Sequence, residues 1–435
     1  MVRPTSPAAS IVLQALTTSM TVLQDSKFYP DVTETDPTKD WLYLSEGGAT
    51  IVFSYSGLPH SEYTGKVLRL RKVPRHLSGR PVSDNTQEEP DDPSIIFQER
   101  VTSTLIPSEY LPKLQAVKVS PQWLQKLEEV AVAQRPIERS SKDSIDTTRR
   151  KGVLATDLVG GQGWAVEIKP KWGFLPSSMH LSAFTLPLKT QYCRYCMHSH
   201  LKGTLGEADS PRYCPLDLYS GDEARVRTAL RSLWDMWIRS MGKANNLRLF
   251  NEGKAVNPTD GETMVNLFQK LHGTHQVFNL EQFCGAFVEA AFPLIMKDLI
   301  SILGRLQRTL DPLDIEGLRE LWGRQYQAIH IGEGEPEPTL GDWESFIQKY
   351  ISGDDSSLRY HLLAYLLSAT FKDCSVILRL HPEGDIKDTI TVIDLDPKEL
   401  TRLPKWFTLD QEIVRNFVGV ASQHPVCIDG NRLQH

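Results

Sequence analysis

The chain reads as an α+β protein, a strand-rich N-terminal part followed by a helix-rich C-terminal part that carries one late hairpin. Three observations predict this. Four short strand-like runs lie before Pro176, apolar residues then recur at spacings of three and four, and two late apolar runs flank the turn sequence HPEGDIKD. At 435 residues the chain is long enough for two or three domains or lobes.

Residues 1–40 are rich in Ser, Thr and Pro, and the expectation is a loosely attached start. Ala49–Tyr55 and Lys66–Arg71 read as strands joined by a loop containing Gly57, Pro59 and Gly65. Residues 78–94 are polar, acidic and Pro-containing, the composition of a surface loop, and 139–150 are polar again. Val153–Ala155 and Trp164–Ile168 read as two further strands. Past Pro176, Val226, Leu230, Leu233, Trp237 and Met241 predict a helix over 222–241, which Asp222 can start. Residues 280–306, 312–328 and 358–370 are also expected to be helical, with a loop over 332–342. Cys374–Leu380 and Thr389–Leu395 form the hairpin.

Composition narrows the function. Lys and Arg number 48 against 54 Asp and Glu, a net charge of −6, so a polycation that coats nucleic acid is not expected. The most apolar stretch, 287–306, is interrupted by Glu289, Lys297, Asp298 and Arg305, the pattern of an amphipathic helix. The first twenty residues have no long apolar core of a secretory signal, and the six cysteines read as free thiols in a reducing compartment. The expectation is a protein of the nucleus or cytoplasm, without a membrane partner. No GxxxxGK[ST] motif occurs, which excludes a P-loop ATPase.

Four segments carry chemistry. If the hairpin turn centres near Glu383 and Gly384, Asp373 and Asp394 are equidistant from it and face each other. Two carboxylates ~5 Å apart repel unless a cation such as Mg²⁺ lies between them; a solvated strand end is the alternative. In EIKPKWGFLP (167–176), Glu167, Lys169 and Lys171 share a face where Pro170 ends the strand, giving a rigid cationic site anchored by Trp172, Phe174 and Leu175. Lys66–Arg71 presents Arg69 and Arg71 on one strand face after Gly47 and Gly48, whose amides could approach nucleotide phosphates. Cys193, Cys196, His198 and Cys214 are residue types of a zinc site, although buried free thiols are as ordinary.

Taken together, EGGAT (46–50), GKVLRLRK (65–72), EIKPKWGFLP, RYCMHSHLK (194–202), YCPLDLYSG (213–221), NNLRLF (245–250), LLSATFKDCSVIL (366–378) and VIDLDPK (392–398) resemble the inositol-pentakisphosphate 2-kinase family. The resemblance implies a protein-kinase-like two-lobed fold: an ATP-binding N-lobe over 41–176, and an enlarged helical C-lobe over 177–435 that is inositide-binding and catalytic. It implies transfer of the γ-phosphoryl group of ATP, with Mg²⁺, to the 2-hydroxyl of inositol 1,3,4,5,6-pentakisphosphate, giving the hexakisphosphate, phytate. Asp373 matches the proton acceptor, Asp394 the Mg²⁺ ligand and Arg248 a basic residue near the transferred phosphate. Gly47, Gly48, Arg69 and Glu167 fall to the nucleotide side. Lys169, Lys171, Lys202, Asn245, Lys398 and Arg402 match the substrate-phosphate clamp, with Arg135 or Arg139 as an N-lobe contact. Trp406 stands where plant members carry Tyr, and plant members that bind zinc do so elsewhere in the chain. A monomer is expected. A kinase for another inositol polyphosphate and a catalytically inactive inositide-binding protein are the competing readings.

Overall fold

A computed structural model of the chain describes residues 29–77, 88–161, 163–203, 213–272, 277–326, 330–353, 357–381 and 387–430. β1 (Trp41–Glu46), β2 (Thr50–Tyr55) and β3 (Lys66–Pro74) run antiparallel from the start of the first sheet. β4 (Leu114–Lys118), β5 (Asp143–Ile145) and β6 (Lys151–Thr156) complete it, in the order β1-β2-β3-β6-β4 with β5 added to β3. Alternation decides what each face does. Leu68 and Leu70 of β3 point into a core with Ile51, Phe53 and Trp41, which the helix Pro121–Gln134 covers through Trp123, Leu124 and Leu127. Arg69, on the other face, stays partly open. Ser120 caps that helix by accepting the Trp123 N–H, and Pro121 at the first position needs no donor. This helix is additional to the elements expected from the sequence pattern.

The N-terminal segment is less loose than its composition suggests. From residue 29 it is packed: Val32 is fully buried, and Asp31 forms a parallel bridge with Lys118 at the end of β4. Residues 1–28, and 78–87 of the acidic loop, lie outside the described residues.

The second sheet is built from β7 (Trp164–Ile168), β8 (Leu247–Asn251), β9 (Lys254–Ala255), β10 (Ser375–Leu380) and β11 (Thr389–Ile393), in the order β11-β10-β7-β8-β9. The expected boundary at residue 176 therefore needs correction, because β7 pairs with β8 and β10 and not with the first sheet. All five β7 residues are buried, so the strand lies between the two partner strands as a central element. The hairpin register also differs from expectation. Ser375 faces Ile393, which sets Cys374 and not Asp373 across from Asp394. A one-residue slip changes the face on which every side chain lies.

The helices pack on this sheet. The stripe Val226, Leu230, Leu233 and Trp237 is buried, and the helix Glu223–Arg239 starts with Asp222 accepting the Arg225 N–H. The single helix expected over 280–306 is two, Leu280–Ile295 and Asp298–Thr309. Pro293 weakens the last turn of the first, and Lys297 is extended. Trp234 meets Phe283 edge to face at 4.9 Å and stacks on Phe287 at 5.5 Å, joining their two helices in one core. Among the described residues no helix is long and apolar enough to cross a membrane.

Candidate active site

The exit of β7 is fastened on every side. Lys169 exchanges hydrogen bonds with Asn246, donating its N–H to the Asn246 carbonyl (3.0 Å) and accepting from Asn246 Nδ2 (3.1 Å). The Pro170 carbonyl accepts from the Tyr213 hydroxyl (2.8 Å), and the Lys171 carbonyl from Gln307 Nε2 (3.1 Å) and Tyr219 (3.3 Å). Gly173 donates to Gln307 Oε1 (2.8 Å), and a Cβ there would come within 2.5 Å of the Tyr219 ring, so glycine is required by close approach. Lys171 itself has φ +66°, a left-handed backbone that costs a lysine energy and that the surrounding bonds impose. Its ammonium is thereby aimed at Asp373 (3.6 Å).

Asp373 follows the helix Leu358–Lys372 as its C-cap, and its carboxylate also lies 3.3 Å from Lys398 Nζ. Burial would raise its pKa, but Lys398, Lys171 and Lys169 outweigh that and hold the carboxyl below its usual range. Lys171 is shifted down, by burial, with Asp373 opposing the shift.

A second set of charges gathers where β7, β8, β10 and β11 meet. Glu167 and Arg248 are cross-strand neighbours, 3.7 Å apart at their charged groups. The Ser375 hydroxyl donates to Glu167 Oε1 (2.7 Å) and lies 3.3 Å from Asp394 Oδ2. Asp394 sits just past β11 with φ +63°, the second charged side chain here on a left-handed backbone. Arg69 reaches from the first sheet to Asp396, 3.9 Å away. Among the described residues Asp373, Asp396 and Glu167 each have a Lys or Arg ion-pair partner, and Asp394 has none. An exposed carboxylate without a cation, beside other oxygen donors, fits a hard divalent ion such as Mg²⁺. Asp373 does not share that ion by the expected facing geometry, since the register separates the two and two lysines already neutralise it. Gly47 and Gly48 have ordinary negative φ, and the space above Gly48 is open, so an approaching phosphate would meet no side chain.

Five of the expected clamp residues, Lys171, Lys202, Asn245, Lys398 and Arg402, line one cavity of about 920 Å³ together with Asp373 and Trp406. Lys169 is not part of that lining, although its charge acts on Asp373, and Arg248 lies beside Glu167. The wall holds eight Lys and Arg against two Asp. Sequence reasoning missed half of these cations: Arg194, Arg239, Lys243 and Lys372, each on or next to a helix where charge usually means a solvated face. Two of them bracket Trp172, with Lys372 Nζ 4.0 Å and the Arg194 guanidinium 4.9 Å from its ring centre. Buried acids hold both in place: Asp311 pairs with Lys372 at 2.5 Å, and Asp410 with Arg194. Asp314, Glu316 and Asp410 have the spacing of a metal site, but the Lys189 ammonium fills it at 2.7, 2.8 and 2.6 Å.

The family whose description is inositol-pentakisphosphate 2-kinase matches residues 43–412, most of the chain. The chain belongs to the inositol-pentakisphosphate 2-kinase family. It is 34% identical over 405 residues to the inositol-pentakisphosphate 2-kinase of Cryptococcus neoformans var. neoformans, covering 87% of this chain and 93% of that one. Relatives of the same name from Arabidopsis thaliana and Danio rerio are each 27% identical, over 444 and 471 residues, covering 88% and 87% of this chain and 94% and 93% of theirs.

Two expected roles are corrected by the geometry within this family frame. The Arg135 guanidinium is fully buried, bonded to Glu46 (2.8 and 3.0 Å) and Asp143 (2.5 Å), and cannot touch a substrate. It joins Lys72, which pairs with the same two acids at 2.8 and 3.1 Å, in fastening Glu46 at the base of the glycine segment. Arg139, the alternative, is exposed and lies 3.4 Å from the Gly47 carbonyl. Arg135→Ala leaves the buried Glu46 carboxylate and the half-buried Asp143 with Lys72 as their shared cation and is expected to cost about 3 kcal/mol in urea unfolding, with Arg139→Ala close to neutral. A loss under about 1 kcal/mol for Arg135→Ala would contradict this assignment. The second correction is His198, which does not join the thiols. It lines the cavity, and the Cys193, Cys196 and Cys214 sulfurs cluster with Cys427 instead.

Proposed function

We propose that the chain is a two-lobed, protein-kinase-like enzyme that transfers the γ-phosphoryl group of ATP to the 2-hydroxyl of inositol 1,3,4,5,6-pentakisphosphate. Family membership supports the activity, and the cavity carries the choice of substrate. Its lining carries eight Lys and Arg against two Asp, and with Lys372 and Arg194 set aside as partners of Asp311 and Asp410 the cations still outnumber the acids. A pentakisphosphate carries well beyond five negative charges at neutral pH, since each monoester has a second pKa near 6. About 920 Å³ is ample for such a ligand. A neutral polyol would do nothing to offset this excess of positive charge.

Bound MgATP would supply the transferable phosphoryl group and a cation to neutralise its charge. The chain's own residues do the rest. Arg69, with the Gly48 amide, faces the nucleotide phosphates from the first sheet, the Gly47 N–H being donated to the Thr50 carbonyl (2.8 Å), and Asp394 would hold the metal. Lys171, Lys202, Lys398 and Arg402 fix the inositide by its phosphates, so that the 2-hydroxyl meets the Asp373 carboxylate. Asp373, kept ionised by Lys171 and Lys398, orients the hydroxyl and takes its proton as the bond to phosphorus forms. Arg248 stabilises charge on the group in transit. Every group in this scheme comes from one chain, so a monomer suffices.

The test is a panel of inositol phosphates assayed for kcat and KM. The pentakisphosphate is expected to be turned over with the lowest KM, and a tetrakisphosphate lacking one equatorial phosphate to lose both affinity and turnover. Equal constants for the two would remove the clamp from the account.

A pH effect follows from His198. Burial first, then Lys202, Arg194 and Lys171, lower its pKa to about 4, so the free enzyme holds it neutral at pH 7. A bound polyanion reverses the local field and raises that pKa. Binding should therefore take up protons between pH 4 and the raised value, and affinity should strengthen as pH falls through it. Calorimetry in buffers of different ionisation enthalpy reads the uptake at pH 6, where His198→Ala should reduce it. Identical uptake in the variant would assign the protons to the ligand alone.

A further inference from the structure

One buried side chain bonds to the backbone of both segments that bring Lys171 and Asp373 together. Gln307 lies in the last turn of the helix Asp298–Thr309 and is fully buried. Its Oε1 accepts the Gly173 N–H (2.8 Å) while its Nε2 donates to the Lys171 carbonyl (3.1 Å). The amide thereby closes a ring across residues 171–173, the stretch that holds Lys171 on its left-handed backbone. The same Nε2 lies 3.0 Å from the Phe371 carbonyl and 3.0 Å from the Tyr219 hydroxyl, so its two N–H groups serve three acceptors. Phe371 is in the last turn of the helix Leu358–Lys372, where a carbonyl has no N–H of its own helix to accept from, and Asp373 caps that helix. Ser368, one turn earlier, donates to the Gln307 backbone carbonyl (2.8 Å), a second bond between the same two helices.

We propose that Gln307 is a positioning residue, whose amide fixes the Lys171 ammonium and the Asp373 carboxylate relative to each other and so sets where the inositide phosphate and the 2-hydroxyl are held. The inference rests on the roles proposed above for those two residues. Gln307 is not among the residues that line the cavity, so it acts through the backbone and touches no substrate. Lys171 and Asp373 come from stretches far apart in sequence and stand 3.6 Å apart at their charged groups. An apolar side chain of the same length would fill the space but remove the donor that the Lys171 and Phe371 carbonyls share. Lys171 would then be freer to leave a backbone conformation that costs it energy.

Gln307→Met keeps the length of the side chain and removes the amide. Its kcat per folded site, counted by active-site titration, should fall by roughly 10²-fold, the cost of a small misplacement. The KM for the inositide should rise while the KM for ATP stays. A double-mutant cycle with Lys171→Gln separates positioning from general stability. If Gln307 acts through Lys171, the double variant should lose less kcat/KM than the product of the two single losses. If Gln307→Met yields too little folded protein, Gln307→Glu is measured in the same way, since an ionised carboxylate keeps the shape and the acceptor for Gly173 but donates nothing. Wild-type constants per folded site, or losses that multiply independently, would overturn the proposal. A wild-type protein that does not phosphorylate the pentakisphosphate would refute the proposed function instead, and a crystal structure of the free variant then reads the positioning without turnover. There, Lys171 is expected to leave its positive φ or to draw away from Asp373, and an unchanged φ near +66° with the 3.6 Å contact intact would overturn the proposal.

Discussion

Asp373→Asn should lower kcat by about 10²–10⁴ and leave inositide affinity unchanged or improved. The carboxylate stands at the rim of a cavity that otherwise presents cations, 3.6 Å from Lys171 and 3.3 Å from Lys398. An amide keeps the shape, removes the acceptor for the hydroxyl proton and removes one negative charge facing a polyanion. Binding and turnover therefore move apart, which general damage to the fold would not produce. Steady-state kinetics with a calorimetric titration measure both. Wild-type turnover in this variant would take Asp373 out of the reaction.

Lys171→Gln should weaken inositide binding by roughly 10–100-fold, since a hydrogen bond to a charged group contributes ~1.5–3 kcal/mol. Gln keeps a long polar side chain on the left-handed backbone at Lys171, so the variant tests the charge rather than the turn. ATP affinity should hardly change, because the nucleotide is assigned to Arg69 and the glycine segment on the other sheet. Turnover should fall as well, because Lys171 helps to hold Asp373. Unchanged inositide affinity would show that this strand exit is no part of the substrate site.

The residues that could be read in advance and those that could not differ in a physical way. Trp164–Ile168 was legible to the residue, because a short apolar run ending in Pro170 has few other readings. Its partners were not, since nothing within five residues says which sheet they join. The hairpin was legible as a hairpin, but its register was one residue out, because a long turn does not fix its own centre. Lys171, Lys202 and Lys398 stood in recognisable motifs. Arg194 and Lys372 stand in the same stretches, but no motif says which way they point, and what aims them into the cavity is a pair of buried acids, Asp410 and Asp311, that are distant in sequence. Arg135 failed for the converse reason: an arginine that reads as a surface contact is consumed by Glu46 and Asp143 once the strands pair. Cys427 is far in sequence from the three thiols it joins, so local spacing points to His198 in its place.

The most direct measurement is the structure of the product. The protein is mixed with ATP, Mg²⁺ and inositol 1,3,4,5,6-pentakisphosphate, and the product is resolved by phosphorus and proton NMR. One ADP per inositide and a new phosphate on the axial 2-carbon, giving the hexakisphosphate, is the result this account predicts. Hydrolysis of ATP without transfer, phosphorylation of an existing phosphate to a diphosphate, or an unchanged inositide that nevertheless binds tightly would each contradict it.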